Sequence, residues 1–252
     1  MLTSIRYVLL TAFRDWLFLG LFIAVIIAGA ISATLGSTAF IEEQAMTITY
    51  AAASSRLILM TGLVVFVCFH IRQAFDSKEI DVMLSRPVSR SNIVVAYWLG
   101  FLLVAFLLTI PVVLMVSLFG VMNMEGFTGW ALSLFLECGL VVALALFSSF
   151  TLRSAVTSVL ASMGLYVLSR MMAFFVVTAD APSLQEMPYV FLKYILVAIS
   201  TIVPRLDFYA KTEWLVYGYK TSQDAYLFVL QSLVFIPFLL LISIIDFRRK
   251  QF

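Results

Sequence analysis

At 252 residues, with 63% hydrophobic and only 12% charged residues and a mean hydropathy of +1.08, the chain excludes an ordinary soluble domain, in which about a quarter of residues carry charge. A formal net charge of +2 gives no hold on nucleic acid, and one histidine with two cysteines gives no metal or disulfide framework. The reading left is an all-α polytopic membrane protein, a single transmembrane domain over residues 1–252.

Residues 2–16 read as an amphipathic helix lying at the membrane surface. At about 100° per residue, Ser4, Thr11, Arg14 and Asp15 group on one side and Ile5, Leu9, Leu10, Phe13 and Trp16 on the other. The alternative is that this stretch simply extends the first span. A bilayer core of about 30 Å needs about 20 apolar helical residues, and six runs meet that need, near 17–36, 56–74, 94–119, 130–150, 155–178 and 225–246. The first exceeds the h-region of a signal peptide and reads as a retained span. Cys68 and Cys138 fall inside apolar runs and read as small hydrophobes. His70, at the inner end of the second span, reads as interfacial packing, because neither HExxH nor GxSxG accompanies it.

Between the second and third spans, Arg72 to Ile93 holds seven of the thirty formal charges. Asp76 to Glu79 (DSKE) has the pattern of a capping box, which starts a helix near Ser77. Pro87 disfavours helical geometry at Arg86, and Ser89 or Ser91 can cap the helix that becomes the third span. The stretch is thus a short helix, a stop and a restart. It is longer than a chain reversal needs, and Val82, Met83 and Leu84 suit a docking element that buries side chains in a partner.

Glu137 in the fourth span and Arg170 in the fifth are each about 10–12 Å from the outer face at 1.5 Å per residue. Antiparallel neighbours at equal depth can pair. The pair reads as a structural ion pair in preference to a polar spot on a transport path. The 15-residue run Tyr189 to Val203, bounded by Pro188 and Pro204 and interrupted by Lys193, rises only about 22 Å and reads as a re-entrant or surface helix on the outer face. Tyr209, Trp214, Tyr217 and Tyr219 after it suit an interfacial aromatic belt.

With both termini cytoplasmic, ten basic residues lie inside: Arg6, Arg14, Arg72, Lys78, Arg86, Arg90, Arg153, Arg248, Arg249 and Lys250. Arg56 falls at an outer boundary. A seventh span over 189–203 would leave the inner count at ten, so charge does not choose between the two. No GxxxxGK[ST] loop is present, so energy from ATP has to come from another chain.

The run IDVMLSRPVSR, Ile80 to Arg90, resembles the segment before the third span of ABC transporter type-2 permeases, where a short hydrophobic helix runs into a Pro-(hydrophobic)-Ser-Arg signature. FSSFTLRSAVTSVL (147–160), STIVPRLDFY (200–209) and the terminal DFRRK (246–250) are similar more weakly, so that the resemblance covers most of the chain. Where that family usually has Gly before the hydrophobic helix this chain has Lys78, and where a Gly-Lys pair commonly follows the signature it has Ala96 and Tyr97.

The resemblance implies the membrane subunit of an ABC exporter in an inner (plasma) membrane, acting as a homodimer or with a similar permease. It implies a cytosolic ABC ATPase subunit as partner, with ATP and Mg bound there and no cofactor on this chain. It makes Asp76, Glu79, Ile80, Met83, Leu84, Arg86, Pro87 and Arg90 the ATPase-coupling contact. The alternative is a secondary transporter or intramembrane enzyme using Glu137, Arg170 and His70.

Overall fold

The computed structural model describes residues 8–11, 16–38, 42–80, 89–179, 191, 194–195, 198–199, 203–218 and 222–249. The helices are α1 (Trp16–Gly36), α2 (Glu43–Asp76), α3 (Arg90–Leu118), α4 (Met124–Thr151), α5 (Ala155–Arg170), α6 (Met172–Ala179), α7 (Glu213–Tyr217) and α8 (Ser222–Arg249), with a 3-10 turn over Leu206–Phe208. Within α1, α2, α3, α4 and α8 lie helical stretches long and apolar enough to cross a membrane, and α5 with α6 makes a sixth if the pair, bent by 46°, is one span. The chain is an all-α, multi-pass membrane protein.

The central helix is α4, which packs on α2, α3, α5, α7 and α8. Its residues from Glu137 to Leu146 are buried without a break, whereas α1 turns Phe22, Ile26, Ile31 and Leu35 outward. In lipid such exposed apolar side chains carry no penalty, so burial sorts the helices by position in the bundle. The helices run on through Pro111 and Pro237. Of the N-terminal amphipathic stretch, residues 8–11 and Trp16 are described; 8–11 are helical, with Val8 buried against Gly100, and Trp16 begins α1.

Three expected boundaries move. The second span, expected over 56–74, is the C-terminal part of a 34-residue helix beginning at Glu43. Its first part is rich in Ala, Thr and Ser, which pack well between helices but score poorly as apolar. Arg56 therefore lies within the helix, away from either end. The fourth span starts at Met124, where Asn123 caps it by accepting a hydrogen bond from Gly126 N at 2.9 Å. The fifth is broken at Met171.

Candidate functional site

Two polar assemblies stand out, one at an end of the bundle and one in its interior. At the end, α2 finishes at Asp76, whose carboxylate takes the Arg72 guanidinium one turn back at 2.7 Å. Asp76 thus closes the preceding helix and does not cap a new one, which corrects the capping-box reading: α2 continues too far for Asp76 to be free. The chain turns at Lys78, whose φ of 58° is the left-handed conformation that glycine adopts readily, and is helical again at Glu79 and Ile80, with Ile80 buried. Met83, Leu84, Arg86 and Pro87 lie outside the described residues.

The chain restarts at Arg90, with Ser89 as N-cap accepting from Asn92 N at 3.3 Å. The Arg90 guanidinium donates to the carbonyls of Phe247 at 3.4 Å and Arg248 at 3.0 Å, and Arg248 donates to Ser91 Oγ at 2.9 Å. Carbonyls at a helix C-terminus lack intrahelical partners and face the negative end of its dipole, so a guanidinium there satisfies both. The end of α8 is in this way tied to the start of α3. Phe75 packs edge-on against Phe150, and Phe150 at a tilt against Phe247, closing the ends of α2, α4 and α8 together.

The interior assembly centres on Glu137, which is fully buried about 20 Å along α4 at 1.5 Å per residue. Tyr166 donates its hydroxyl to Glu137 Oε1 at 3.2 Å, and Arg170 Nη1 lies 3.8 Å from the same oxygen. Arg170 is the last residue of α5, where a cation also complements the helix dipole.

What the arginine holds is backbone. Its Nη1 donates to the carbonyls of Leu206 and, at 2.7 Å, Tyr209. From α2, Arg56 Nη1 donates to the carbonyl of Ala210 at 2.6 Å, and Ala210 N donates to Ser133 Oγ on α4 at 3.0 Å. Residues 204–210 are mostly non-helical, with Ala210 at φ 41°, and non-helical backbone deep in a membrane protein needs protein partners for its polar groups. Two spans supply them as guanidinium groups, and Glu137 supplies a counter-charge.

The Tyr209 hydroxyl donates to the Phe228 carbonyl at 2.8 Å and shares a bond of 2.8 Å with Ser232, both on α8. Burial pushes this phenol up to about 12. The segment then rises as α7, whose Trp214 carbonyl lies so close to Gly126 of α4 that a Cβ there has no room. Tyr209 and Trp214 are buried while Tyr217 is exposed, so the first two do not join the belt expected of them; Tyr219 lies outside the described residues. The reason is that the segment is packed into the bundle and does not lie across its surface. Most of the 189–203 run falls outside the described residues.

His70 packs among Phe66, Tyr97 and Phe101, about 21 Å along α2 from Arg56, and does not join the interior assembly. Cys68 and Cys138 are buried free thiols. Among the described residues, no three His, Cys, Asp or Glu side chains could hold a metal ion. Sequence reasoning missed Arg56, Tyr166, Ser133 and the carbonyls at 206–210. An arginine following the small-residue run AAASS was the available signal for the first.

Neither a protein-family model nor a curated protein matches this chain.

Proposed function

We propose that the chain is the membrane-spanning permease subunit of an ATP-driven exporter of the ABC type. A separate cytosolic subunit binds Mg-ATP and hydrolyses it, and two permease copies, identical or similar, enclose the path. Both termini lie in the cytoplasm and the protein sits in the inner (plasma) membrane.

The observation that carries this reading is the helix, turn and helix at Asp76, Lys78 and Glu79. It emerges from a membrane helix, is anchored by the buried Ile80, and leads to Arg90, which grips the end of α8. ATP-driven motion in a soluble partner reaches the membrane only through a stiff contact at its surface; the described ends of this stretch are the end of α2 and the start of α3, and Arg90 ties the latter to α8. Residues Asp76 to Arg90 are the coupling contact in this reading, in keeping with the resemblance of Ile80 to Arg90 to the type-2 permeases.

The test is purification of the tagged full chain in mild detergent, with identification of any Walker-motif ATPase that accompanies it. Glu79→Lys and Arg86→Glu lower the amount of ATPase recovered while membrane insertion stays normal. Unchanged recovery and unchanged ATP-driven transport in both variants refute the coupling role.

A further inference from the structure

The contact between Arg56, Arg170 and residues 206–210 has the composition of a ligand site whose ligand is the chain itself. Two guanidinium groups from different helices converge on three carbonyl oxygens, those of Leu206, Tyr209 and Ala210. Neutral carbonyls are weaker partners for guanidinium than oxyanions, which accept shorter, charge-assisted and often bidentate bonds.

Charge around the contact is unbalanced. Arg56 and Arg170 face the carboxylate of Glu137; Asp207 also lies within electrostatic reach of Arg170, but its charge is balanced by Arg205 at 2.8 Å. Among the described residues this leaves one surplus positive charge in the bundle interior, where an uncompensated charge is costly. Buried donors are also left over. Trp130 Nε1, on the α4 face that carries Ser133 and Glu137, has no hydrogen-bond partner, and neither has Arg56 Nε; Glu137 Oε2 is an acceptor likewise left over, so donors exceed acceptors two to one among the described residues of this seat. A fully satisfied structural latch has no use for spare donors; a site for a ligand richer in acceptor oxygens does.

We propose that this seat is a binding site for a phosphate monoanion, and that the 204–210 segment occupies it as a displaceable stand-in. A phosphate offers several acceptor oxygens to two guanidinium groups and the Trp130 indole, and one negative charge cancels the surplus. Glu137 sets the limit, because a dianion would meet its carboxylate unscreened. The surrounding helices are apolar, so the head group of an amphiphile can bring the phosphate in; free phosphate shares the chemistry. This extends the permease reading by naming the head group such a path accepts. Its test needs no ATPase, so the two readings fail separately.

The experiment uses the full chain carrying Leu206→Cys, in phosphatidylcholine vesicles, in vesicles with added phosphatidylglycerol, and in phosphatidylcholine with inorganic phosphate. Labelling by a water-soluble maleimide is located by peptide mass. Leu206 is fully buried, so its replacement reacts only when the segment lifts, and the buried Cys68 and Cys138 report on the bundle.

Phosphatidylglycerol raises labelling at position 206 by about ten-fold, the equivalent of one charged hydrogen bond exchanged, with both native thiols silent. A rise with lipid alone assigns the site to a head group, and a rise with inorganic phosphate as well assigns it to the phosphate itself. In Arg170→Gln labelling is fast from the outset and gains nothing from phosphatidylglycerol; Arg170→Lys falls between. No rise from either phosphate source overturns the proposal. So does a lipid effect of equal size in Arg170→Gln, which is then one of surface charge, and so does labelling of all three thiols together, which shows that the segment does not move by itself.

Discussion

Replacing Glu137 by Gln isolates charge from shape. The amide keeps an oxygen for the Tyr166 hydroxyl, at 3.2 Å from Oε1 in the parent, and nearly the same volume in a fully buried position. What it removes is the counter-charge to Arg170, 3.8 Å away, and to Arg56. Two unit charges at this distance attract by about 4 kcal/mol at an effective dielectric near 20. The Arg170 side chain is 24% exposed, which moderates this figure, while stranding a charge in the interior raises the cost of breaking a buried pair to about 3–5 kcal/mol. A loss near 3 kcal/mol is expected. Glu137→Leu should lose about 1 kcal/mol more, because the Tyr166 bond goes too. The measurement is equilibrium unfolding of the purified chain in mixed micelles of increasing SDS content, followed by helical circular dichroism, with Arg170→Gln and the double variant completing a cycle. If Glu137→Gln stays within about 0.5 kcal/mol of the parent, or the cycle gives no coupling, the carboxylate is not the counter-charge argued for.

Three further outcomes follow from local geometry. Lys78→Gly relieves a left-handed residue at φ 58° and should stabilise by about 1 kcal/mol in the same unfolding assay; a destabilised variant refutes the strain. Gly126→Ala forces a methyl against the Trp214 carbonyl and should cost about 1–3 kcal/mol, with α7 exchanging its amide hydrogens faster; an unchanged exchange pattern counts against the close approach. The Tyr209 phenol, raised from 10 to about 12, favours the protonated form in the folded chain. Its contribution is therefore complete below pH 10 and lost as pH rises through about 12. Phenolate absorbance should show a late-titrating component that shrinks by one group in Tyr209→Phe, and a late component of unchanged size in that variant shows the hydroxyl to be solvated.

The apolar runs locate the membrane helices because lipid imposes one length on any helix that crosses it, but the runs measure lipid contact and not helix length. This is why α2 begins thirteen residues before its expected start and takes Arg56 inside the bundle. Glu137 and Arg170 could be matched from sequence alone, since adjacent antiparallel spans turn residue number into depth. Arg56 and the carbonyl of Ala210 could not: 154 positions separate them, and the acceptor is backbone, which has no residue identity to read. The same limit hid the grip of Arg90 on α8, across 157 and 158 positions.

Together these contacts give α8 a particular place in the molecule. Arg90 and Ser91 hold one end of it, and the Tyr209 hydroxyl holds Phe228 and Ser232 near the other, with Pro237 between. A proline removes one hydrogen bond from the helix ladder and lets the helix bend there. The element at Lys78 and the interior seat of Arg56 and Arg170 therefore share a helix that is fixed at both ends and compliant in the middle. A displacement of Arg90 reaches Tyr209 through α8, through the packing of α4, or through α2 and the bond of Arg56 to Ala210, and only the first of these routes depends on the Tyr209 hydroxyl.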